Sequence, residues 1–360
     1  MGEKTGDLVV LAGKTAYAHI RKNGLSPDDI RMVLGASGAA KWLVLHGLDS
    51  AIFSHWFKGR KDPLLVLGTS IGAWKFAAAA RKNPALAFDA LKNAYIHQYY
   101  QGRVTPAQVS RESERIMKAF LDQTRVDDIL CHPFIRIAFE AVRCRYLLAS
   151  RHRPIQLLGI LAGAGVNRVS RNLQRLYLER FVFHHPQFDT RSVDFSDFPT
   201  RFVPLGKHNF QPALTASGAI PYVMEGVSDI PGAPSGMYRD GGILDYHPAF
   251  ALSSGRKGFI LYPHFYPYIV PGWFDKKHAN RRVNGSAADR IILVAPSEKF
   301  VSRLPFGRIP DRKDFTRLMG QDGVRVNAWE KAADMGQILG DAFLEATQNS
   351  RIQDLVRPLP

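Results

Sequence analysis

Cysteine is scarce: Cys131 and Cys144 are the only two in 360 residues. That is too few for a disulfide-stapled scaffold or a cysteine-rich zinc site, and it suits a cytoplasmic protein. Long hydrophobic runs are missing as well. No apolar stretch approaches the ~18 residues that a membrane-spanning helix needs. The apolar run at 8–12 follows a start carrying both charge signs and is too short for a secretory leader. Acidic residues are the third shortage, with 32 Asp and Glu against 48 Lys and Arg, a formal charge of +16. A surplus of that size implies an anionic partner, either an acidic membrane surface or a nucleic acid. The basic residues are dispersed, and no zinc-finger, RNA-binding or helix-turn-helix signature accompanies them, so nucleic acid is not expected. The expectation is a soluble, cytoplasmic protein that is at most peripheral at a membrane.

Cofactor signatures fail on inspection. Gly13-Lys14-Thr15 lacks the glycine that a phosphate loop needs at the position of Leu8, and Gly163-Ala164-Gly165 meets Arg168 where a dinucleotide fold needs its third glycine. His184-His185 has no companion at metal-ligand spacing. Neither a cofactor nor a metal is expected.

What is present is enough apolar residue, 46%, to build a core. Short apolar strands at 31–34 and 64–67 are each followed by a small-residue turn and a helix, at 41–53 and 73–80. That order belongs to an α/β fold with a mostly parallel sheet. Residues 85–180 read as a helical insertion or flank, with segments opened by Pro106 and Pro133. Strands resume at 181–183, 202–205, 259–262 and 291–294. A helix at 211–224 is broken at Pro221, and residues 326–360 form a helical tail. One domain over 1–360 accommodates all of this.

The sharpest motif is Gly68-X-Ser70-X-Gly72, set between a strand and a helix as a nucleophile elbow requires. Small flanking residues are needed because the serine sits on a tight, strained turn, and the helix N-terminus favours the anion formed as the serine attacks. A serine needs a base to take its proton. Asp240-Gly241-Gly242 supplies an aspartate followed by two residues without side chains, which leaves the carboxylate unobstructed.

Taken in order, the small-residue loop Gly35-Ala36-Ser37-Gly38-Ala39, the elbow at Ser70, Ala216-Ser217-Gly218-Ala219-Ile220-Pro221, and Asp240-Gly241-Gly242 resemble the patatin-like phospholipase family. The likeness runs over about residues 31–250. It implies a three-layer α/β/α fold and a Ser–Asp dyad, with Ser70 as nucleophile and Asp240 as general base. Backbone N–H groups of Gly35, Ala36, Ser37, Gly38 and Ala39 would form the oxyanion hole. The implied activity is hydrolysis of a carboxylic ester of a phospholipid, lysophospholipid or other acyl ester, through an acyl-enzyme and without metal or cofactor. Two places depart from the family pattern. Its three consecutive glycines become Gly35-Ala36-Ser37-Gly38, with Lys41 one place late, and Asp245-Tyr246-His247-Pro248 replaces the usual Asn-Asn-Pro. The alternatives are a Ser–Asp–His esterase using His247, His264 or His278, and an inactive relative that binds lipid or a partner.

One further segment suits a lipid surface. Tyr266, Trp273 and Phe274 lie in an aromatic, proline-rich stretch that runs into Lys276, Lys277, Arg281 and Arg282. Its aromatics would otherwise line an acyl pocket. The arginines at 143, 145, 151 and 153 read as a solvated face.

Overall fold

The computed structural model describes residues 6–100, 102, 104–121 and 126–360; the charged start of the chain, residues 1–5, lies outside them. Its strands are β1 (Leu8–Ala12), β2 (Ile30–Gly35), β3 (Leu64–Thr69), β4 (Ile135–Cys144), β5 (Leu178–His184), β6 (Thr200–Pro204), β7 (Val227–Ser228), β8 (Met237–Asp240), β9 (Phe259–Pro263), β10 (Ile291–Pro296) and β11 (Val356–Pro358). They form one sheet in the order β11-β1-β10-β9-β2-β3-β4-β5-β6, with β8 and β7 added on β4. The run β10-β9-β2-β3-β4 is parallel throughout. Every residue of β3, β9 and β10 is buried, so both faces of the sheet are covered by helices, as in a three-layer α/β/α architecture.

Four elements differ from the sequence expectation. The segment after Pro133 is strand β4, not helix. Its Ala138, Glu140 and Ala141 favour helix, but pairing on both edges, with β3 and β8 on one side and β5 on the other, overrides that propensity. The run at 8–12 is β1, paired with β10 and β11. The tail is a 27-residue helix, Asp322–Gln348, that ends before the chain returns as β11. The helix expected at 211–224 is Phe210–Ser217 and stops at Gly218, ahead of Pro221.

The sheet positions a site at the carboxyl ends of its parallel strands. The chain moves outward from β2 through β3 to β4 on one side and from β9 to β10 on the other, so the loops after β2 and β9 part at a crevice where ligands characteristically bind. Long strand β4 carries two partners end to end on one edge. Thr69 of β3 pairs with Glu140, and Asp240 of β8 pairs with the next residue, Ala141. Residues 70 and 240 are thereby delivered to the same point.

The helix Ile71–Ala79 that follows β3 is buried along its whole length. Lys75 is paired with Asp49 at 2.8 Å, and Asp49 also accepts from the Trp42 indole at 2.8 Å. Trp74 Nε1 donates to the Leu214 carbonyl at 3.1 Å. A buried pair that is fully hydrogen-bonded fixes the helix laterally where apolar packing alone would let it slide.

Candidate active site

Ser70 occupies a left-handed backbone position, φ 54° and ψ −126°, between β3 and the helix Ile71–Ala79. Such a conformation costs on the order of 1–3 kcal/mol in a non-glycine residue and persists only where the surroundings enforce it. The enforcement is steric. A Cβ on Gly68 would lie 2.5 Å from the Gly72 carbonyl, and one on Gly72 would lie 2.2 Å from the Gly35 carbonyl. Strand, elbow and the loop after β2 therefore touch backbone to backbone, and Gly35 contributes closeness of approach.

The Ser70 hydroxyl donates to Asp240 Oδ2 at 2.7 Å, and the Gly242 N–H donates to Asp240 Oδ1, also at 2.7 Å. Burial pushes the Asp240 carboxyl up to about 6, against the opposing pull of the Ser70 and Gly242 hydrogen bonds and of Lys276 and Arg312. A carboxylate with that affinity can accept a proton and release it near neutrality. Both glycines after it are sterically required. A Cβ on Gly241 would lie 2.5 Å from the Glu140 carbonyl, and one on Gly242 would lie 2.3 Å from Ser37 Oγ.

The Ala-Ser-X-Ala-X-Pro segment connects the pair. Ser217 Oγ accepts the Ser70 N–H at 3.1 Å, while the Ala219 carbonyl accepts the Asp240 N–H at 3.1 Å. Ser217 and Ala219 thus tie Ser70 to Asp240 through the backbone; their place just upstream of Asp240-Gly241-Gly242 is the signal that the sequence offers. Thr69 is a further link. Ser37 donates to the Thr69 hydroxyl at 2.9 Å, and Thr69 donates to the Asp245 carbonyl at 2.9 Å. Asp245 is in turn gripped by the buried Arg180 guanidinium, Nε to Oδ2 at 2.8 Å and Nη2 to Oδ1 at 3.1 Å, and Arg180 also holds Asp197. Glu140, buried beside them, has its carboxyl held well above the usual range by burial and by the Asp245 charge. This ionic core lies behind the turn that follows Asp240.

The five loop residues divide by role. Gly38 and Ala39 line the cavity at Ser70, at the start of the 3-10 helix Ala39–Leu45, where the first N–H groups have no partner within the helix. Ser37 does not offer its N–H, which donates to the Tyr246 carbonyl at 2.9 Å. Gly35 is paired within the sheet, opposite Gly68, and Ala36 does not line the cavity. Ala39 is strained at φ 52°. Gly38 could not be replaced, because a Cβ there would meet the Phe265 ring at 2.5 Å.

Two cavities meet at Ser70. One, about 710 Å³, runs past Trp74, Val109, Ile116, Val223, Met224 and Phe315 and is predominantly apolar. The other, about 320 Å³, is walled by Tyr246, Tyr266, Tyr268 and Trp273 and carries Lys41 and Lys276, with Arg312 and Lys313 shared between the two. Lys41 is paired with Asp311. Lys276 forms no ion pair among the described residues; the residue is exposed overall, and its ammonium stands 3.7 Å from the centre of the Tyr246 ring. Burial of that head and the nearby charges of Lys41 and Arg312 bring it down to about 7. Tyr266, Trp273 and Lys276, expected as an outward lipid contact, thus face the cavity. Phe274 packs 3.1 Å from where a Cβ on Gly163 would stand, and Lys277 is exposed and outside the cavity.

No histidine hydrogen-bonds to Ser70 or Asp240 among the described residues. His247 lines the smaller cavity, but its Nδ1 accepts from the Val270 N–H at 2.9 Å and its Nε2 has no partner. His264 bonds locally at Tyr266, and burial holds the affinity of both rings for a proton below the ordinary histidine value. Among the described residues no group of three His, Cys, Asp or Glu is placed to hold a metal ion.

No family model and no curated protein matches the chain. Among solved structures it is similar to VipD from Legionella pneumophila, at a TM-score of 0.32 and 12% identity, over 73% of this chain and 54% of that one. The chain thus spans about half the length of the structure it matches. A superposition this loose carries no argument about activity, and the functional reading rests on the side chains around Ser70.

Proposed function

We propose that this protein is a serine acyl-ester hydrolase of the patatin-like type, working through Ser70 and Asp240 alone. The observation that carries the reading is the direct 2.7 Å hydrogen bond from the strained elbow serine to a buried aspartate, with no histidine between them. In the reaction, Asp240 takes the Ser70 proton as Oγ attacks the ester carbonyl. The N–H groups of Gly38 and Ala39 receive the negative charge that develops on the carbonyl oxygen. The tetrahedral intermediate collapses to an acyl-Ser70, and Asp240 gives its proton to the departing alcohol. Water then attacks the acyl group, again passing a proton to Asp240, and the acid leaves as Ser70 recovers its hydrogen.

The two cavities support a substrate with unlike ends. An acyl chain suits the apolar cavity, and an alcohol part carrying negative charge suits the aromatic one, which Lys276 lines and where it forms no ion pair among the described residues. A phospholipid or lysophospholipid has that form.

Labelling with a fluorophosphonate probe, followed by a panel of neutral and anionic acyl esters, tests the reading. Wild type should label and Ser70→Ala should not. Ser70→Ala and Asp240→Asn should each lose activity by at least about 100-fold, and His247→Ala should retain it. A folded wild type that fails to label, or a His247→Ala variant as dead as Ser70→Ala, overturns the dyad. Activity should rise as pH passes about 6, where Asp240 ionises. With anionic esters it should fall again above about 7, where Lys276 loses its charge. Lys276→Met should abolish that fall, and with neutral esters it should only move the acid limb upward, because the Lys276 charge helps to hold Asp240 ionised.

A further inference from the structure

Most large apolar residues of the helix Arg153–Val169 lie on the wrong side for a core helix; Ile160, packed against the cluster around Leu148 and Leu178, is the exception. The residues it buries are Gln156, Gly159, Gly163 and Asn167, spaced at three and four so that they form one stripe. These dock by backbone approach and amide bonding. A Cβ on Gly159 would lie 2.8 Å from the Leu147 backbone. Gln156 accepts the Tyr222 N–H at 2.6 Å, and Asn167 donates to Asp275 at 2.9 Å. The outward side carries Ile155, Leu157, Leu158, Leu161 and Val169. Leu158 is 59% exposed, Leu161 60% and Val169 80%, and Tyr146 next to them is 76% exposed. Scattered exposed leucines need no explanation, but a contiguous set on one helix face marks a contact surface.

The charge around this face selects the partner. Residues 145–178 contain six arginines and no aspartate or glutamate. Arg151, Arg168 and Arg175 form no ion pair among the described residues. Apolar side chains ringed by arginine match the boundary of an anionic bilayer, where the leucines enter the acyl layer and the guanidinium groups meet phosphate. A second copy of the chain would set arginine against arginine. No helix among the described residues is long and apolar enough to cross a membrane, so the helix would lie in the interface and not span it.

We propose that the outward face of the helix Arg153–Val169 is the surface by which this protein lies on an anionic lipid bilayer. The placement has a consequence for access. Through Tyr222 the helix holds the segment that includes Ile220 and Pro221, and through Asp275 it holds the turn between Trp273 and Lys276; all four residues line the cavity at Ser70. Docking the helix therefore acts on two segments that wall the cavity. The inference needs no catalysis by Ser70, and it is tested in a Ser70→Ala background so that binding is read apart from turnover.

The experiment is co-sedimentation with phosphatidylcholine vesicles, with and without phosphatidylserine, at low and high salt. The parent protein should bind the phosphatidylserine vesicles and lose them at high salt. Leu158→Gln with Leu161→Gln, and separately Arg151→Glu with Arg168→Glu, should each lower partitioning by about tenfold or more. Leu86→Gln, at a leucine 66% exposed on another part of the surface, should leave it unchanged. The thermal transition of each variant should match the parent, because none of these side chains supports the core. Failure of the parent to bind phosphatidylserine vesicles, or binding by both double variants equal to the parent, overturns the proposal. So does a dimer in sedimentation velocity that the leucine variant converts to monomer, since the face would then be a self-interface.

Discussion

Two helices of similar apolar character sit in opposite ways. Ile71–Ala79 buries every residue, including a lysine, whereas Arg153–Val169 turns its leucines to solvent and packs through glycines and amides. In the first, apolar contact does the packing and one satisfied ion pair sets the lateral position. In the second, glycines let the backbone come close and two amides hold it there, which frees the large apolar side chains for another contact. Hydrophobic content does not say which side of a helix faces the core. The residues that permit close approach or make directed hydrogen bonds do.

Four substitutions break or sharpen that contrast, from the largest effect to the smallest, each read by chemical or thermal unfolding. Phe76→Ala, in the buried helix, should destabilise by about 3–5 kcal/mol. Gly72→Ala should cost about 3 kcal/mol, because its Cβ would lie 2.2 Å from the Gly35 carbonyl and only a shift of the elbow relieves it. Asp240→Asn should stabilise. Folded Asp240 keeps its proton up to about 6 while the unfolded residue releases it near 3.8. The folded state therefore binds more protons across that window, and wild-type stability declines as pH rises through it. The variant lacks this dependence, so it should exceed wild type by roughly 1–3 kcal/mol at pH 8 and match it at about pH 4. Leu161→Ser, on the outward helix, should change stability by no more than about 0.5 kcal/mol. A loss comparable to that of Phe76→Ala would mean that this face is covered in the folded chain, and the contrast would fail.

Much of the candidate site was legible in the sequence because tight backbone geometry leaves a residue-type trace. Gly68, Gly72, Gly241 and Gly242 each stand where a Cβ would collide, and glycine is the residue that such contacts demand. The parallel strands at 30–35, 64–69, 259–263 and 291–296 were visible as short apolar runs between turns. Strand β4 was not, since Arg136, Glu140 and Arg143 interrupt its apolar pattern and its partners lie far away in sequence. The functions of Ser217 and Lys276 depend on what they meet across the fold, Ser70 in one case and Tyr246 in the other, and local spacing carries no mark of that. The outward face of Arg153–Val169 was hidden for the same reason: a periodic apolar stripe reads alike whether it points in or out.

The register of β4 makes the pair around Ser70 a late product of synthesis. Thr69 and Asp240 rest on adjacent rungs of that strand, and the two functional side chains are 170 residues apart in the chain. A ribosome-bound chain that ends anywhere before residue 240 has Ser70 without its hydrogen-bond partner, however well its first strands have formed. If the proposed hydrolysis holds, the nascent protein gains its base only when β8 docks on β4, and recovery of esterase activity on refolding would time that step.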